Sequence, residues 1–540
     1  MLGIKFDNLR GDLFGGLTAG VVALPLALAF GEASGAGPIA GLYGAIIVGF
    51  FAALFGGTGS QISGPTGPMI VVFAGVFGAL SGNPGLVFAT VVLAGVIQVA
   101  FGIFKLGQYI KLVPYPVVSG FMTGIGCIII ALQASRLFGH EPEGSGTIPA
   151  LTAIPGAVLD PNWVALGLGL LTLIIVFTWP AKMAKIVPPP LAALVIGTLL
   201  STIIAGAPLL GDIPTGLPSF VIPEFRADTI VIVFEAAFVL ALLGSLDSLL
   251  TSLVADNMTR TKHNSNQELI GQGIGNVFAG FFGGIPGAGA TMRTVVNIRT
   301  GGLTKISGMI HSALLFAVVV PLGPLAAQIP HAVFAGILVN VGYDIVDLAY
   351  LKRAHKGPRW DLLLMVLVLT LTVFVDLITA VIAGVVLASL AFVKQMADLQ
   401  LESIKNLEEG IDQLVPSEEE EILKDVADSV TLFDFNGPLS FGAAADLGHH
   451  VRLKAKGSSA LVIDFLQVPF LDVSAARAVA TICQDATEAK KRIFISGMNS
   501  KVKQVLIALQ EDSVLPEMFY ENRKDALEAT RKFILAAQKN

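Results

Sequence analysis

Asp247 and Thr251 lie four residues apart in the apolar run LGSLDSLLT, residues 243–251. On a helix they share one face. A carboxylate and a hydroxyl beside backbone carbonyls suit a hard cation such as Na+. An ionisable group inside so apolar a segment is expensive, which makes it a candidate for function. The competing reading is an Asp247 that is merely buried, by pairing with Arg293 or by protonation. A second pattern occurs twice. FFAALFGG at 50–57 is followed by GPTGPM at 64–69, and FAGFFGG at 278–284 by PGAGATM at 286–292. Each is an aromatic-Gly-Gly end, a Gly/Pro break and a fresh apolar start. Two ordinary Gly-rich loops would explain this, since the chain has 59 glycines. Paired interrupted helices would instead mark a binding site at a membrane midplane.

Two half-helices that begin inside a membrane present free backbone N–H groups and positive dipole ends. Facing each other, they can hold a small anion. Thr66 and Thr291 stand near the two starts, where a hydroxyl either binds the ligand or caps the helix. Arg293 lies one turn into the second half-helix. It could complete an anion site, or serve as a structural partner of Asp247 or Glu268. Glu268 is either a proton-relay or gate residue, or an ordinary acid at a helix start. Glu32 closes the first apolar run and is either a solvated end carboxylate or a coupling residue. Glu235 and Asp376 also fall at or inside the ends of apolar runs.

The elements that must position these residues are membrane helices. Of 540 residues, 54% are hydrophobic and only 14% charged, with a mean hydropathy of +0.76. A soluble protein of this composition would lack the polar residues to coat its surface. Apolar runs fall at 14–33, 39–56, 66–81, 85–104, 114–135, 163–180, 187–206, 229–254, 267–283, 289–299, 304–327, 330–349, 361–376 and 378–397, which predicts fourteen spans. The first run is long and lacks a cleavage-type end, so it is expected to be retained. A cytoplasmic N-terminus places Lys5, Arg10, Lys105, Lys111, Lys182, Lys185, Arg260, Lys262, Arg299, Lys305, Lys352, Arg353, Lys356 and Arg359 inside. Arg136, at the outer end of the fifth run, is an exception, and the outer loop before the eighth run holds only Arg226. The segment after Phe138, GHEPEGSGTIPALTAIPGAVLDP, has no Lys or Arg and reads as a long outer segment. Seven spans followed by seven spans is an odd repeat, so the two halves must be inverted in the membrane.

Of the 34 Lys and Arg residues, 18 precede Leu399 and 16 follow it. That shift marks a soluble tail. The domains expected are 1–398 for the membrane region, 399–428 for an acidic, solvated linker and 429–540 for the tail. VTLFDFNG, ALVIDF and RIFISGM read as strands; AAADLGHHVRLKA, SAARAVATICQDATEAK and KVKQVLIALQ read as helices. This is a small α/β domain. His449 and His450 read as a surface pair. Cys127 and Cys483 sit too far apart for a redox or zinc motif, and the net charge of −6 gives no reason to expect nucleic acid. No P-loop, GxGxxG or nucleophile–base constellation is visible, so no enzyme is expected.

Four features together resemble a known family. They are PLALAF at 25–30 leading to Gly41-Leu42-Tyr43; GPTGPM at 64–69; TRTKHNSNQEL at 259–269 followed by Gly271-Gln272-Gly273; and, in the tail, Asp464 with FLDVS at 470–474. With these the chain resembles the SulP family (sulfate permease, solute carrier family 26) along essentially its whole length, and its tail is similar to STAS domains. Within the family, the run from Leu249 to Gly289 is most similar to BicA-type Na+-dependent bicarbonate transporters. The resemblance implies a polytopic α-helical fold of two inverted seven-helix repeats, with a core of spans 1–4 and 8–11 and a gate of spans 5–7 and 12–14. It implies a homodimer contacting through the STAS tail. It places Na+ on Asp247, Thr251, Gly289, Ala290 and Thr291. The anion then falls between the half-helices, at Thr66, Gly67 and Ala290–Thr291, with Phe30 nearby; in the wider family an arginine at the position of Arg293 belongs to that site.

The function expected is Na+-coupled bicarbonate uptake across a bacterial inner membrane, with both termini cytoplasmic, by rigid-body alternating access. The alternative is a proton-coupled importer of sulfate or a dicarboxylate, using Glu32 or Glu268 with Arg293. A third reading, from another class, makes the membrane part vestigial and the tail a regulatory or scaffolding module.

Overall fold

A computed structural model of the chain describes residues 6–80, 83–110, 113–141, 147–184, 187–210, 218–375 and 377–402. Toward the C-terminus it describes 405–406, 419, 421–422, 424, 426, 429–441, 444, 447–448, 451–452, 455, 457–508 and 516–538. Lys5, Lys111, Lys185, Asp376, His449, His450 and most of the acidic linker lie outside the described residues. The chain divides into two compact units, Met1–Val386 and Leu387–Asn540.

The first unit is helical. It opens with α1 (Leu9–Ala33), α2 (Pro38–Phe55), α3 (Gly67–Ala79), α4 (Pro84–Ile103), the short α5 (Gly107–Ile110) and α6 (Tyr115–Leu137). Next come α7 (Thr147–Leu159), α8 (Trp163–Thr178), the short α9 (Ala181–Ala184), α10 (Pro189–Ile203), α11 (Ile230–Thr259) and α12 (Ser265–Phe281). Then follow α13 (Thr291–Arg299), α14 (Lys305–Ala326), α15 (His331–Ile345), the short α16 (Leu348–Leu351), α17 (Arg359–Phe374) and α18 (Leu377–Glu402), which runs across the division between the two units. The helix starts follow local chemistry. Pro occupies the first turn of α2, α4, α6 and α10, where its missing N–H costs nothing. Asn83, Asn162 and Asn264 cap α4, α8 and α12 with their side-chain oxygens.

A helix coincides with each apolar run expected from the sequence, with shifted ends. Among the described residues, α1, α2, α4, α6, α11 and the stretch Ile382–Leu399 of α18 are long and apolar enough to cross a membrane by themselves. Helices α3, α10, α15 and the stretch Lys305–Val319 of α14 are apolar but shorter. The segment after Phe138, expected as a long outer segment, contains a helix that was not expected, α7, which meets α8 at a bend of 115°. Its prolines, Pro149 and Pro155, hide the helix from a sequence reading, because Pro is a breaker in most contexts.

Small residues let the helices approach closely. A Cβ on Gly95 of α4 would stand 2.5 Å from the carbonyl oxygen of Gly273 on α12, and the reverse substitution would give the same distance. Beside this contact, Asn276 Nδ2 donates to Gln98 Oε1 at 2.7 Å. Close backbone approach plus a buried amide bond is how apolar helices recognise each other where burial alone gives no preference.

The second unit carries a four-stranded sheet: β3 (Lys405–Asn406), β4 (Val430–Asn436), β5 (Ala460–Gln467) and β6 (Arg492–Ser496), in that order. Strand β3 is antiparallel to β4, and β4, β5 and β6 are parallel. Alternate residues face opposite sides. Phe433, Phe435, Ile463, Phe465 and Ile495 pack against α19 (Val473–Glu488) and α20 (Ser500–Ala508). Leu432, Val462 and Phe494 pack against Ala526, Leu527 and Ile534 of α21 (Arg523–Ala537). The stretch 399–428 is not all solvated linker, as the charge run suggested. Lys405 and Asn406 pair with β4, and Glu419 accepts from Arg523 Nε at 2.8 Å.

Candidate functional site

The two Gly/Pro breaks meet. Ser63–Gly64 (β1), just before α3, pairs antiparallel with Ala288–Gly289 (β2), just before α13, with Ser63 opposite Gly289 and Gly64 opposite Ala288. Ala290 N also donates to Ile62 O at 2.8 Å. Ile62 N in turn donates to Thr294 Oγ1 at 3.0 Å, so the first turn of α13 is tied to the strand leading into α3. Gly64 has φ of +151°, and a Cβ there would stand 2.8 Å from Arg293 Nη1. Only glycine meets both the conformation and the space. The ends of two helices are thereby held at one crossing, each offering first-turn N–H groups without an intrahelical partner.

Helix α11 lines this crossing with a polar stripe. Thr251 Oγ1 donates to Gly289 O at 3.0 Å and lies 2.7 Å from Thr291 Oγ1. Ser248 Oγ accepts from Gly289 N at 3.0 Å. Ser252 Oγ donates to Gln61 Oε1 at 2.9 Å. Asp247, on the Thr251 face, stands beside Thr66 and within electrostatic reach of Arg293. Arg293 is buried and its Nη2 donates to Pro65 O.

Three buried atoms at the crossing make no well-aligned hydrogen bond among the described residues, Thr66 Oγ1, Asp247 Oδ2 and Arg293 Nη1, although the Thr66 hydroxyl is close enough to pair with the Asp247 carboxylate. Thr66 therefore does not spend its hydroxyl capping α3. Buried polar groups are normally satisfied, so a cluster of orphans marks a place where something else binds. A carboxylate oxygen asks for a cation, a guanidinium N–H for an anion's oxygen, and a hydroxyl can serve either.

Small cavities flank the crossing. Phe30, buried, lines one with Gly67, Ile129, Gln133 and Leu338. Asp247 lines another with Pro68, Val117, Phe121, Leu243 and Leu250. Thr66, Gly67, Asp247, Thr251, Gly289, Ala290, Thr291 and Arg293 are thus brought together, with Phe30 at their edge.

The other acidic candidates lie elsewhere. Both oxygens of the buried Glu268 carboxylate are engaged: Oε2 accepts from Gly57 N at 2.8 Å and Thr58 N at 2.9 Å, and Oε1 from Gln61 Nε2 at 2.9 Å and Gln272 Nε2 at 2.8 Å. It holds the loop between α2 and β1 in shape. Glu32 stands against His331 at the end of α1, and Glu235 is exposed on α11.

Several polar residues of this region do not stand out in the sequence. Gln61, Gln272 and Asn276 are uncharged amides, and they bond partners 207, 209 and 178 positions away in the chain. His311, fully buried on α14 with both ring nitrogens unpartnered, lies within electrostatic reach of Arg293. An ionisable residue in an apolar run was the signal that could have found it. The turn between α11 and α12 holds a constellation not anticipated either. Asp256 Oδ2 lies 2.7 Å from His263 Nδ1, and Ser265 Oγ 3.0 Å from His263 Nε2. Asp256 also accepts from His263 N and Thr261 Oγ1, so the chain of bonds folds the turn.

Sequence and structure comparisons agree with this architecture. Residues 9–368 match the sulfate permease family and residues 421–526 the STAS domain. The chain is 45% identical to the bicarbonate transporter BicA of Synechocystis sp. over 534 residues, covering 97% of this chain and 94% of that protein. It is 33% identical to the putative sulfate transporter YvdB of Bacillus subtilis over 517 residues, covering 93% of this chain and 94% of that one. Its structure is similar to the transmembrane domain of a cyanobacterial bicarbonate transporter BicA, with a TM-score of 0.67 and 51% identity, covering 70% of this chain and 98% of that one.

Proposed function

Since the chain belongs to the sulfate permease family, whose members are transporters rather than enzymes, we propose that it imports bicarbonate together with Na+. The proposed scaffold has fourteen spans in two inverted repeats, a core of spans 1–4 and 8–11 moving against a gate of spans 5–7 and 12–14. It sits in a bacterial inner membrane with both termini cytoplasmic, followed by the linker at 399–428 and a STAS domain at 429–540 through which two copies pair.

The observation that carries this reading is the burial of Thr66 Oγ1, Asp247 Oδ2 and Arg293 Nη1 at one crossing without a well-aligned hydrogen bond to the rest of the protein. Na+ would take Asp247 Oδ2, the hydroxyls of Thr251 and Thr291, and the backbone at Gly289 and Ala290. Bicarbonate would take the N–H groups at the starts of α3 and α13, Thr66 and Arg293 Nη1, with Phe30 closing one side. Charge bookkeeping gives the coupling. Asp247 and Arg293 cancel, and so do Na+ and bicarbonate. The empty and fully loaded sites are both neutral, while either half-loaded site leaves one unpaired charge in a low-dielectric interior, at a cost on the order of several kcal/mol. Each ion therefore raises the affinity for the other, and the effect is reciprocal.

A second reading is a proton-coupled carrier of sulfate or a dicarboxylate. Arg293 in the site and the similarity to a putative sulfate transporter favour it. By the same charge argument a dianion in the neutral Asp247–Arg293 site needs two positive charges, such as two protons. Uptake of labelled bicarbonate into proteoliposomes, with and without an inward Na+ gradient at fixed pH, separates the two. Uptake that requires Na+ supports the first; sulfate uptake driven by pH without Na+ selects the second.

A further inference from the structure

Glu32, Glu141 and His331 come from three separate elements: the end of α1, the segment after α6 and the first residue of α15. Their ligand atoms all lie within 4.8 Å of one another. His331 Nδ1 stands 3.1 Å from Glu32 Oε1 and 3.7 Å from Glu141 Oε1. His331 thus already faces Glu32 as a close ion pair, and Glu141 Oε1 approaches the same ring nitrogen from a second element. Glu141 is oriented from behind: Arg136 Nη2 donates to its other oxygen, Oε2, at 3.0 Å and leaves Oε1 facing His331. The backbone is pinned as well, since His331 N donates to Pro208 O at 3.1 Å. Arg136, an exception to the positive-inside pattern, thus has a structural reason to be there.

We propose that these three side chains form a site for a divalent cation of borderline softness, with Zn2+ as the type. One imidazole and two carboxylates are a donor set that suits such an ion, and ligand atoms all within 4.8 Å of one another need only a small closure to share one cation. With Arg136 included and the imidazole neutral, the cluster carries a net charge of −1, so a divalent ion is electrostatically welcome. Access exists: Arg136 and Glu141 border a cavity of about 510 Å³, and Glu141 is exposed. The Arg136–Glu141 bond is the outer support that metal ligands commonly need. Resting on the transport reading above, the ion would bridge span one of the core to spans five and twelve of the gate. Occupancy would hold those elements together and inhibit the movement that transport requires.

Two arms test this. In the first, ZnCl2 and MgCl2 are titrated by calorimetry into the purified full-length protein at pH 7.5. One saturable Zn2+ per chain, not displaced by Mg2+, is expected. His331→Ala and Glu141→Gln should each weaken it by at least ~10-fold, and Asp247→Asn should leave it unchanged. The exposed position of Glu141 makes Glu141→Gln safe for folding even if the His331 variant is not. No saturable Zn2+ binding, or binding indifferent to both variants, overturns the site. In the second arm, Zn2+ is added outside proteoliposomes and the flux of whichever anion the protein carries is followed. Inhibition that Glu141→Gln relieves supports the bridging role; inhibition unaffected by it overturns that role. The calorimetric arm stands even if the proposed bicarbonate transport fails.

Discussion

The hydroxyls of Thr251 and Thr291 lie 2.7 Å apart, and Thr251 Oγ1 also donates to Gly289 O at 3.0 Å. One side chain of α11 therefore holds both the last strand residue before the second break and the first residue of the helix after it. The carboxylate of Asp247, one turn earlier on the same face, is aimed at the same crossing. The carboxylate proposed to hold Na+ and the contacts that position the broken helix are therefore parts of one arrangement.

Asp247→Asn keeps the shape of the side chain and removes its charge. If Asp247 is the anionic ligand for Na+, the variant leaves Arg293 unbalanced and removes the main reason for Na+ to bind. Na+-stimulated bicarbonate uptake should fall at least ~100-fold, equivalent to about 3 kcal/mol, with normal amounts of protein in the membrane. Uptake that keeps its Na+ dependence would sink the assignment.

Thr251→Val is nearly isosteric but removes the hydroxyl that bridges Gly289 O and Thr291 Oγ1. Leaving a buried polar group unsatisfied costs about 1–3 kcal/mol. The Na+ concentration for half-maximal uptake should rise about 5- to 150-fold, with less change in the bicarbonate KM at saturating Na+. Equal loss of both affinities would place Thr251 in general scaffolding instead.

Gly64→Ala introduces a Cβ 2.8 Å from Arg293 Nη1 at a residue with φ of +151°. The strain should cost roughly 1–3 kcal/mol, and the contact should displace the guanidinium. Uptake should drop by at least ~10-fold while the protein still purifies as a folded species in size-exclusion chromatography. A fully active Gly64→Ala protein would show that Arg293 need not sit where it does.

Cys483, fully buried under the sheet of the second unit, has its thiol pushed up to about 12 by desolvation. Only the thiolate reacts, so at pH 8 this cysteine should be inert to thiol reagents in a Cys127→Ala background until denaturant opens the STAS unit. The sign of the stability effect follows. The folded pKa lies above the unfolded value near 8.5, so the unfolded chain loses its proton first as pH rises. The stabilisation is complete below about pH 8.5 and is lost progressively between there and about 12, by at most about 1.4 kcal/mol per pH unit. Denaturation monitored across pH 9–11 should show that loss, and Cys483→Ala should remove this component of it.

Much of the fold was legible because its signals are local. Long apolar runs, Pro and Asn at helix starts, and alternating strands in the tail each reflect chemistry within a few residues. The two breaks were legible because the pattern of an aromatic-Gly-Gly end and a new start occurs twice. Helix α7 was not, because its prolines imitate a loop, and β3 was not, because a two-residue edge strand has no period to detect.

The side-chain chemistry divides along the same line. By itself the amino-acid sequence determined that the chain has an apolar helical region and an α/β tail. It also placed a carboxylate and a hydroxyl on one helix face, since spacing alone settles that. Only the tertiary structure decided what those groups meet. It set Thr251 against Thr291 and Arg293 against Pro65, engaged Glu268 in four hydrogen bonds, and joined Glu32 to His331 across 299 positions. A buried charge must find its partner in space, and packing of distant helices chooses that partner. No periodicity along the chain records such a choice.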